Sequence, residues 1–128
     1  MRIEKFQIAT PESDLRDLKE RLSRTRWPSE IPNSGWSQGA NLAYLRELAT
    51  YWEERFDWRL QESKLNQFSH FRAEVEGLKL HFIHQKGKGP RPIPLALIHG
   101  WPSSFAEMLK VIPLLTDPGS LGGNPLDS

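Results

Sequence analysis

At 128 residues, with 38% hydrophobic and 26% charged residues, the chain can build one packed domain, and its composition argues against both two full domains and wholesale disorder. Seventeen Lys and Arg against sixteen Asp and Glu leave a formal charge of +1, without the one-sided basic surplus of a nucleic-acid binder. The absence of cysteine excludes a disulfide framework, a thiolate nucleophile and a Cys-ligated metal site.

The opening Met-Arg-Ile-Glu-Lys-Phe places charges where a signal peptide would carry its apolar core. The longest apolar run, residues 93–98, falls far short of the ~20 residues that span a bilayer. A soluble, cytoplasmic chain with no membrane anchor is therefore expected. Five tryptophans is roughly three times ordinary usage, and rings so concentrated need a surface to pack on, in this chain or in a neighbouring domain.

In chain order, Lys5-Phe6-Gln7-Ile8 alternates and predicts a short edge strand. Thr10-Pro11-Glu12 opens a helix, with Thr10 as cap, Pro11 at the first helical position, and Glu12 and Asp14 at the positive end. Leu15, Leu18 and Leu22 form its narrow apolar stripe, and Trp27-Pro28 ends it. Residues 28–40 read as an ordered loop pinned by Trp36. A second helix over about 42–56 presents Leu42, Leu45, Ala49, Trp52 and Phe56, and a third runs over about 59–68.

The period then changes. Residues 70–76 alternate, and Leu78, Leu80 and Phe82 resume the alternation after Gly77, which predicts a hairpin turned at Glu76-Gly77 with one face buried. Residues 87–92 form a turn. Residues 93–98, apolar throughout, read as a strand buried on both faces of a sheet. After His99-Gly100-Trp101-Pro102 comes a helix, with Ser104 and Glu107 spaced as a capping box and Phe105, Met108, Leu109, Ile112 and Leu115 facing inward. The last dozen residues look like a loop with no further element. The expected fold class is α/β: a helical segment over 1–68, then the first strands and helix of an incomplete open sheet over 69–128. Its central strand needs partners on both sides, and the chain offers them on one.

The candidate chemistry centres on residues 99–102. A turn at the carboxyl end of a strand in an open α/β sheet is where ligands usually bind. Gly100 permits a tight turn, Pro102 fixes the backbone, and the Trp101 amide can point at a developing oxyanion. The bland alternative is a strand-to-helix turn that merely packs. His81 and His84, three apart on a strand, face opposite sides and cannot share an ion. His70 reads as a surface residue, and Ser103 and Ser104 as helix caps, since no G-x-S-x-G elbow surrounds them. Glu53-Glu54 and Glu74/Glu76 read as solvated charges. Gly87-x-Gly89 precedes a strand, not a helix, and so is no phosphate cradle. No metal site and no Ser-His-Asp set can be assembled.

Several strings together resemble the N-terminal domain of microsomal-type epoxide hydrolases. They are Leu18-Lys19-x-Arg21-Leu22-x-x-Thr25-Arg26-Trp27-Pro28, Tyr51-Trp52, Phe56-Asp57-Trp58-Arg59 and Leu65-Asn66-x-Phe68. The likeness continues through Gly77-Leu78-x-Leu80-His81-Phe82-Ile83-His84 into Pro94-Leu95-x-Leu97-x-His99-Gly100-Trp101-Pro102-x-Ser104-Phe105. It runs from Phe6 to about Pro118.

The resemblance implies an α/β-hydrolase fold preceded by a helical segment that wraps core and lid. It also implies hydrolysis of a small-molecule epoxide to a vicinal diol without metal or organic cofactor. An Asp would form an alkyl-enzyme ester, a His-activated water would hydrolyse it, and two lid tyrosines would hold the epoxide oxygen. Of these parts only the oxyanion donor transfers to this chain, as the Trp101 backbone N–H, with His99, Gly100 and Pro102 shaping the loop and the Trp101-Pro102 bond expected cis. The nucleophile, base and lid residues are absent from the sequence, so the chain alone is expected to be inactive. Its ending at Asp127-Ser128 is expected to reflect truncation or a split gene. The alternative is a non-catalytic interaction module that docks onto another polypeptide through its Trp-rich helices and unpaired strand.

Overall fold

The computed structural model describes residues 2–126 and Ser128, which divide into two compact units, Ile8–Leu65 and the remainder.

The first unit is helical: α1 Glu12–Ser23, α2 Leu42–Glu54 and α3 Trp58–Leu65. Along α1 only Leu15, Leu18 and Leu22 are half-buried, the stripe expected from their spacing. On α2 the half-buried residues are Leu42, Leu45, Ala49 and Glu53, with Phe56 just beyond the helix, while Trp52 is exposed. At 3.6 residues per turn the stripe passes from Ala49 to Glu53, which leaves Trp52 at its margin and corrects the expected face. Asn41 caps α2 by accepting the Tyr44 amide, and Asp57 accepts the Leu60 amide at the start of α3. In the loop between α1 and α2, Trp36 stays largely exposed but packs its ring on Tyr44 at 5.2 Å, and Glu30 accepts the Leu42 amide.

Thr10 does not cap α1, contrary to expectation. Pro11 occupies the cap position, and no side chain bonds to the helix there. A distant carboxylate holds this end instead. Glu62 on α3 accepts the Thr10 amide at 2.7 Å and the Trp58 indole N–H at 3.2 Å. Arg59 donates to Glu62, to the Thr10 carbonyl and to Glu12 at 2.8, 2.8 and 3.0 Å. The Thr10 amide foremost, then Arg59 and Trp58, hold the Glu62 carboxyl down at about 2 against the opposing effect of burial.

The second unit contains an antiparallel sheet in the order β1-β2-β3, with β1 Ile3–Phe6, β2 His70–Val75 and β3 Leu78–Ile83. The strand expected at residues 5–8 thus lies two residues earlier. The hairpin turns at Glu76 and Gly77, whose φ of 51° and 81° are the paired positive values of a two-residue turn. Gly adopts such values without steric cost, whereas Glu does not. Val75 pairs with Leu78, and counting outward brings Arg72 opposite His81 and His70 opposite Ile83. Because side chains alternate, one face carries Phe6, His70, Arg72 and His81, and the other Phe71, Ala73 and Phe82. Ala73, 5% exposed, sits at the centre of the second face, where Phe71 stacks on Phe82 at 5.6 Å.

Residues 93–98 correct the sequence reading most sharply. They form no strand and pair with no other described segment, and Ile93 and Ile98 are 87% and 86% exposed. A strand exists only through a partner's hydrogen bonds, and apolar composition alone cannot supply one. The helix expected after Pro102 is also divided, into a 3-10 turn, Phe105–Met108, and α4, Val111–Thr116. Pro113 lacks an N–H and would clash in a continuous helix, so the break falls before it. Ser104 caps the 3-10 turn by accepting the Ala106 amide, one residue short of the capping-box partner. Met108, Leu109 and Ile112 are half-buried as expected, but Leu115 is exposed. A second 3-10 turn, Pro118–Leu121, stands where only loop was expected. Pro118 starts it, and Gly122 ends it at φ 84°.

Candidate functional site

Residues 99–102 form an exposed turn between the 93–98 segment and the Phe105–Met108 turn. The Trp101-Pro102 peptide is cis, and the Trp101 residue is 96% exposed. His99 Nδ1 lies 3.0 Å from the Gly100 carbonyl oxygen, a contact that needs the proton on that nitrogen. Among the described residues, no acceptor takes the Trp101 backbone N–H. Gly100 does not take a left-handed conformation, and a Cβ there would meet nothing within 4 Å. Within this chain, then, neither crowding nor backbone conformation requires glycine at that position.

The Trp101 N–H thus stands on an exposed turn with no acceptor among the described residues. Such a donor can stabilise negative charge developing on an oxygen placed about 2.7–3.1 Å away. Among the described residues, hollows lie away from the turn. One of about 450 Å³ is lined by Lys5, Phe6, Asn66, Ser69 and His70 among others, and one of about 260 Å³ by Pro28, Ile31, Leu42 and Leu45 among others.

The histidines divide by face. His81 stacks on His70 at 5.2 Å between ring centres, while His84 lies beside Phe71 on the opposite face, as their spacing on a strand required. No group of three or more His, Asp or Glu that could hold a metal ion occurs among the described residues. His70, read from the sequence as a surface residue, is instead 3% exposed. Its Nδ1 lies 3.0 Å from His81 Nε2, and Phe105 covers both rings. The signal was present in the sequence: counting outward from Glu76-Gly77 puts His70 and His81 on one face, two positions apart.

A family model described as "Epoxide hydrolase N terminus" matches residues 3–108. A protein of Stigmatella aurantiaca, provisionally named an epoxide hydrolase, is 49% identical over 123 residues, and Epoxide hydrolase 1 of Oryctolagus cuniculus is 43% identical over 124. The matched part spans 96% and 94% of this chain but only 28% and 27% of those relatives. Among solved structures, an enantioselective mutant of the Aspergillus niger epoxide hydrolase superposes with a TM-score of 0.81 at 29% identity, covering 98% of this chain and 32% of that one. The juvenile hormone epoxide hydrolase of the silkworm Bombyx mori gives 0.78 at 31%, covering 89% and 28%. The chain belongs to the epoxide hydrolase N-terminus family and takes up part of the α/β-hydrolase fold of these enzymes.

Proposed function

We propose that the chain is the opening portion of an enzyme that hydrolyses epoxides to vicinal diols, and that its own chemical contribution is the Trp101 backbone N–H. The observation that carries this reading is that donor, free of any acceptor among the described residues on an exposed turn, in a chain matched to epoxide hydrolases over residues 3–108. Residues 1–68 serve as the helical segment and residues 69–128 as the start of the hydrolase core.

In the whole enzyme an Asp carboxylate oxygen attacks an epoxide carbon. The C–O bond opens to an alkoxide, which takes a proton from a lid tyrosine, and an alkyl-enzyme ester forms. Water activated by a His then adds to the ester carbonyl. The Trp101 amide stabilises the resulting oxyanion until the diol leaves and the carboxylate is restored. No metal or organic cofactor takes part. His99, Gly100 and Pro102 hold the donor in place. The nucleophile, the base and the lid tyrosines are not among these residues, so the 128-residue chain turns over no epoxide by itself. The cytoplasm is the proposed location, and no helix among the described residues is long and apolar enough to cross a membrane.

The test is to express the longest product of the reading frame containing this sequence and to follow one turnover of an aryl epoxide in ¹⁸O-water. A covalent ester places unlabelled oxygen in the first diol and label in the enzyme carboxylate. Label in the first diol would show direct attack by water and overturn the ester route, and an absence of diol would overturn the epoxide reading. The exposed 93–98 segment favours a second reading, a non-catalytic module that docks onto another polypeptide. A clean monomer of the 128-residue chain in sedimentation, with no diol from the longer product, would count against both.

A further inference from the structure

One face of the sheet carries a polar cluster that the proposed chemistry does not use. His70 and His81 stack with ring planes 21° apart, and a ring nitrogen of each lies 3.0 Å from the other. At that separation one nitrogen must carry the proton and the other must offer a lone pair. Phe6 meets His81 edge-on at 5.4 Å from the β1 side. Phe105 closes the cluster from above, 5.8 Å from His70 and 4.9 Å from His81. Phe105 begins the 3-10 turn and is separated from Pro102 only by Ser103 and Ser104. Whatever fixes Phe105 therefore fixes one end of the 99–102 turn.

The charged groups on this sheet face are Glu4, Arg72, Glu74 and Lys79, and the covering turn adds Glu107. Arg72 stands directly opposite His81 and lies over the Phe6 ring at 3.6 Å.

We propose that His70 and His81 form a positioning pair that holds Phe105, and through it the oxyanion turn, only while the pair shares a single proton. Protonation of both rings leaves no lone pair between them, sets two N–H groups against each other, and loosens the Phe105 contact. Burial first, then His70, then Arg72 push the His81 imidazole below its ordinary range, which favours a neutral His81 and with it the closed pair at neutral pH. The placement of the turn stands on this geometry. Its consequence for turnover rests on the epoxide hydrolase reading.

The experiment uses the 128-residue chain, labelled with ¹⁵N at the histidine rings and ¹³C at the phenylalanine rings, titrated by NMR from pH 8 to pH 5. At pH 8 one of His70 Nδ1 and His81 Nε2 should read as N–H and the other as a bare nitrogen. The Phe105 ring shifts should then move with the same midpoint as the His81 ring. In His81→Gln, which keeps a hydrogen-bonding group but does not titrate, the Phe105 shifts should stay closed-like throughout. In His81→Leu they should be open-like at every pH. Should the Leu variant not fold, the unaltered chain and the Gln variant still decide. Phe105 shifts that ignore the His81 titration, or two like-protonated ring nitrogens at pH 8, would overturn the proposal. None of these signals depends on diol formation, so failure of the epoxide reading would be seen separately, in the turnover assay.

Discussion

The hairpin β2–β3 alternates polar and apolar residues and residues 93–98 are apolar throughout, yet it is the more polar hairpin that is paired. The hairpin is paired residue for residue, with Ala73 buried at its centre, whereas the 93–98 segment pairs with no described segment and leaves Ile93 and Ile98 open to solvent. The difference is one of range. Glu76-Gly77 brings two strands together across a two-residue turn, so the hairpin carries its own partner in adjacent sequence. The 93–98 segment has no such neighbour, and its hydrophobicity records what a sheet would bury without supplying that sheet. This chain matches only 25–29% of the length of its curated relatives, so the comparison bears directly on what the piece can do.

The sharpest way to break the comparison is to place the same charge in both regions. Ala73→Asp buries an unpaired carboxylate in the hairpin and should cost on the order of 3 kcal/mol or more, read as a lowered urea midpoint. Leu95→Asp should change stability by no more than about 0.5 kcal/mol, because its site is already exposed. Equal losses would mean that the 93–98 segment is packed. Next in size, Gly77→Val forces a β-branched residue to φ 81° and should cost about 1–2 kcal/mol in the same measurement. Glu76→Asn, better suited to φ 51°, should gain roughly 0.5 kcal/mol.

A contrast of another kind lies in the helical unit, where Glu62 holds the start of α1 by charge. Its folded carboxyl lies at about 2 against an ordinary 4.5, so between these values the unfolded chain binds the proton more readily. The contribution of Glu62 is therefore complete above about pH 4.5 and is lost as pH falls toward 2. Glu62→Gln should flatten that part of the acid-unfolding curve, followed by circular dichroism, and leave stability near pH 7 lower than in the unaltered chain. An unchanged acid limb would show that the carboxylate is not what holds Thr10.

What could be read from the residues follows the same division by range. The Leu15, Leu18, Leu22 stripe and the turn at Glu76-Gly77 are local patterns, and both stand in the structure. Local spacing points to Thr10 as the cap of α1, but the carboxylate that holds this end, Glu62, lies 52 residues away. Trp52 fits the three-and-four spacing of Leu42, Leu45, Ala49 and Phe56, but a step of four from Ala49 reaches Glu53, and that is the residue on the half-buried stripe. His70 was read singly as a surface residue, and only the strand register brings it against His81. At the candidate site the turn was recognisable from His99-Gly100-Trp101-Pro102, while the exposed state of its supporting segment was not, because that depends on partners outside any local window.

If the proposed function holds, Trp101 offers an oxyanion donor, and these 128 residues by themselves convert no epoxide. The most direct measurement incubates the purified 128-residue chain with an aryl epoxide and follows diol by chromatography over many hours. Diol is expected at the rate of the protein-free control, with no change on substituting His99 or Pro102. Sustained turnover that scales with protein concentration would contradict it, and would place a nucleophile among residues read here as structural.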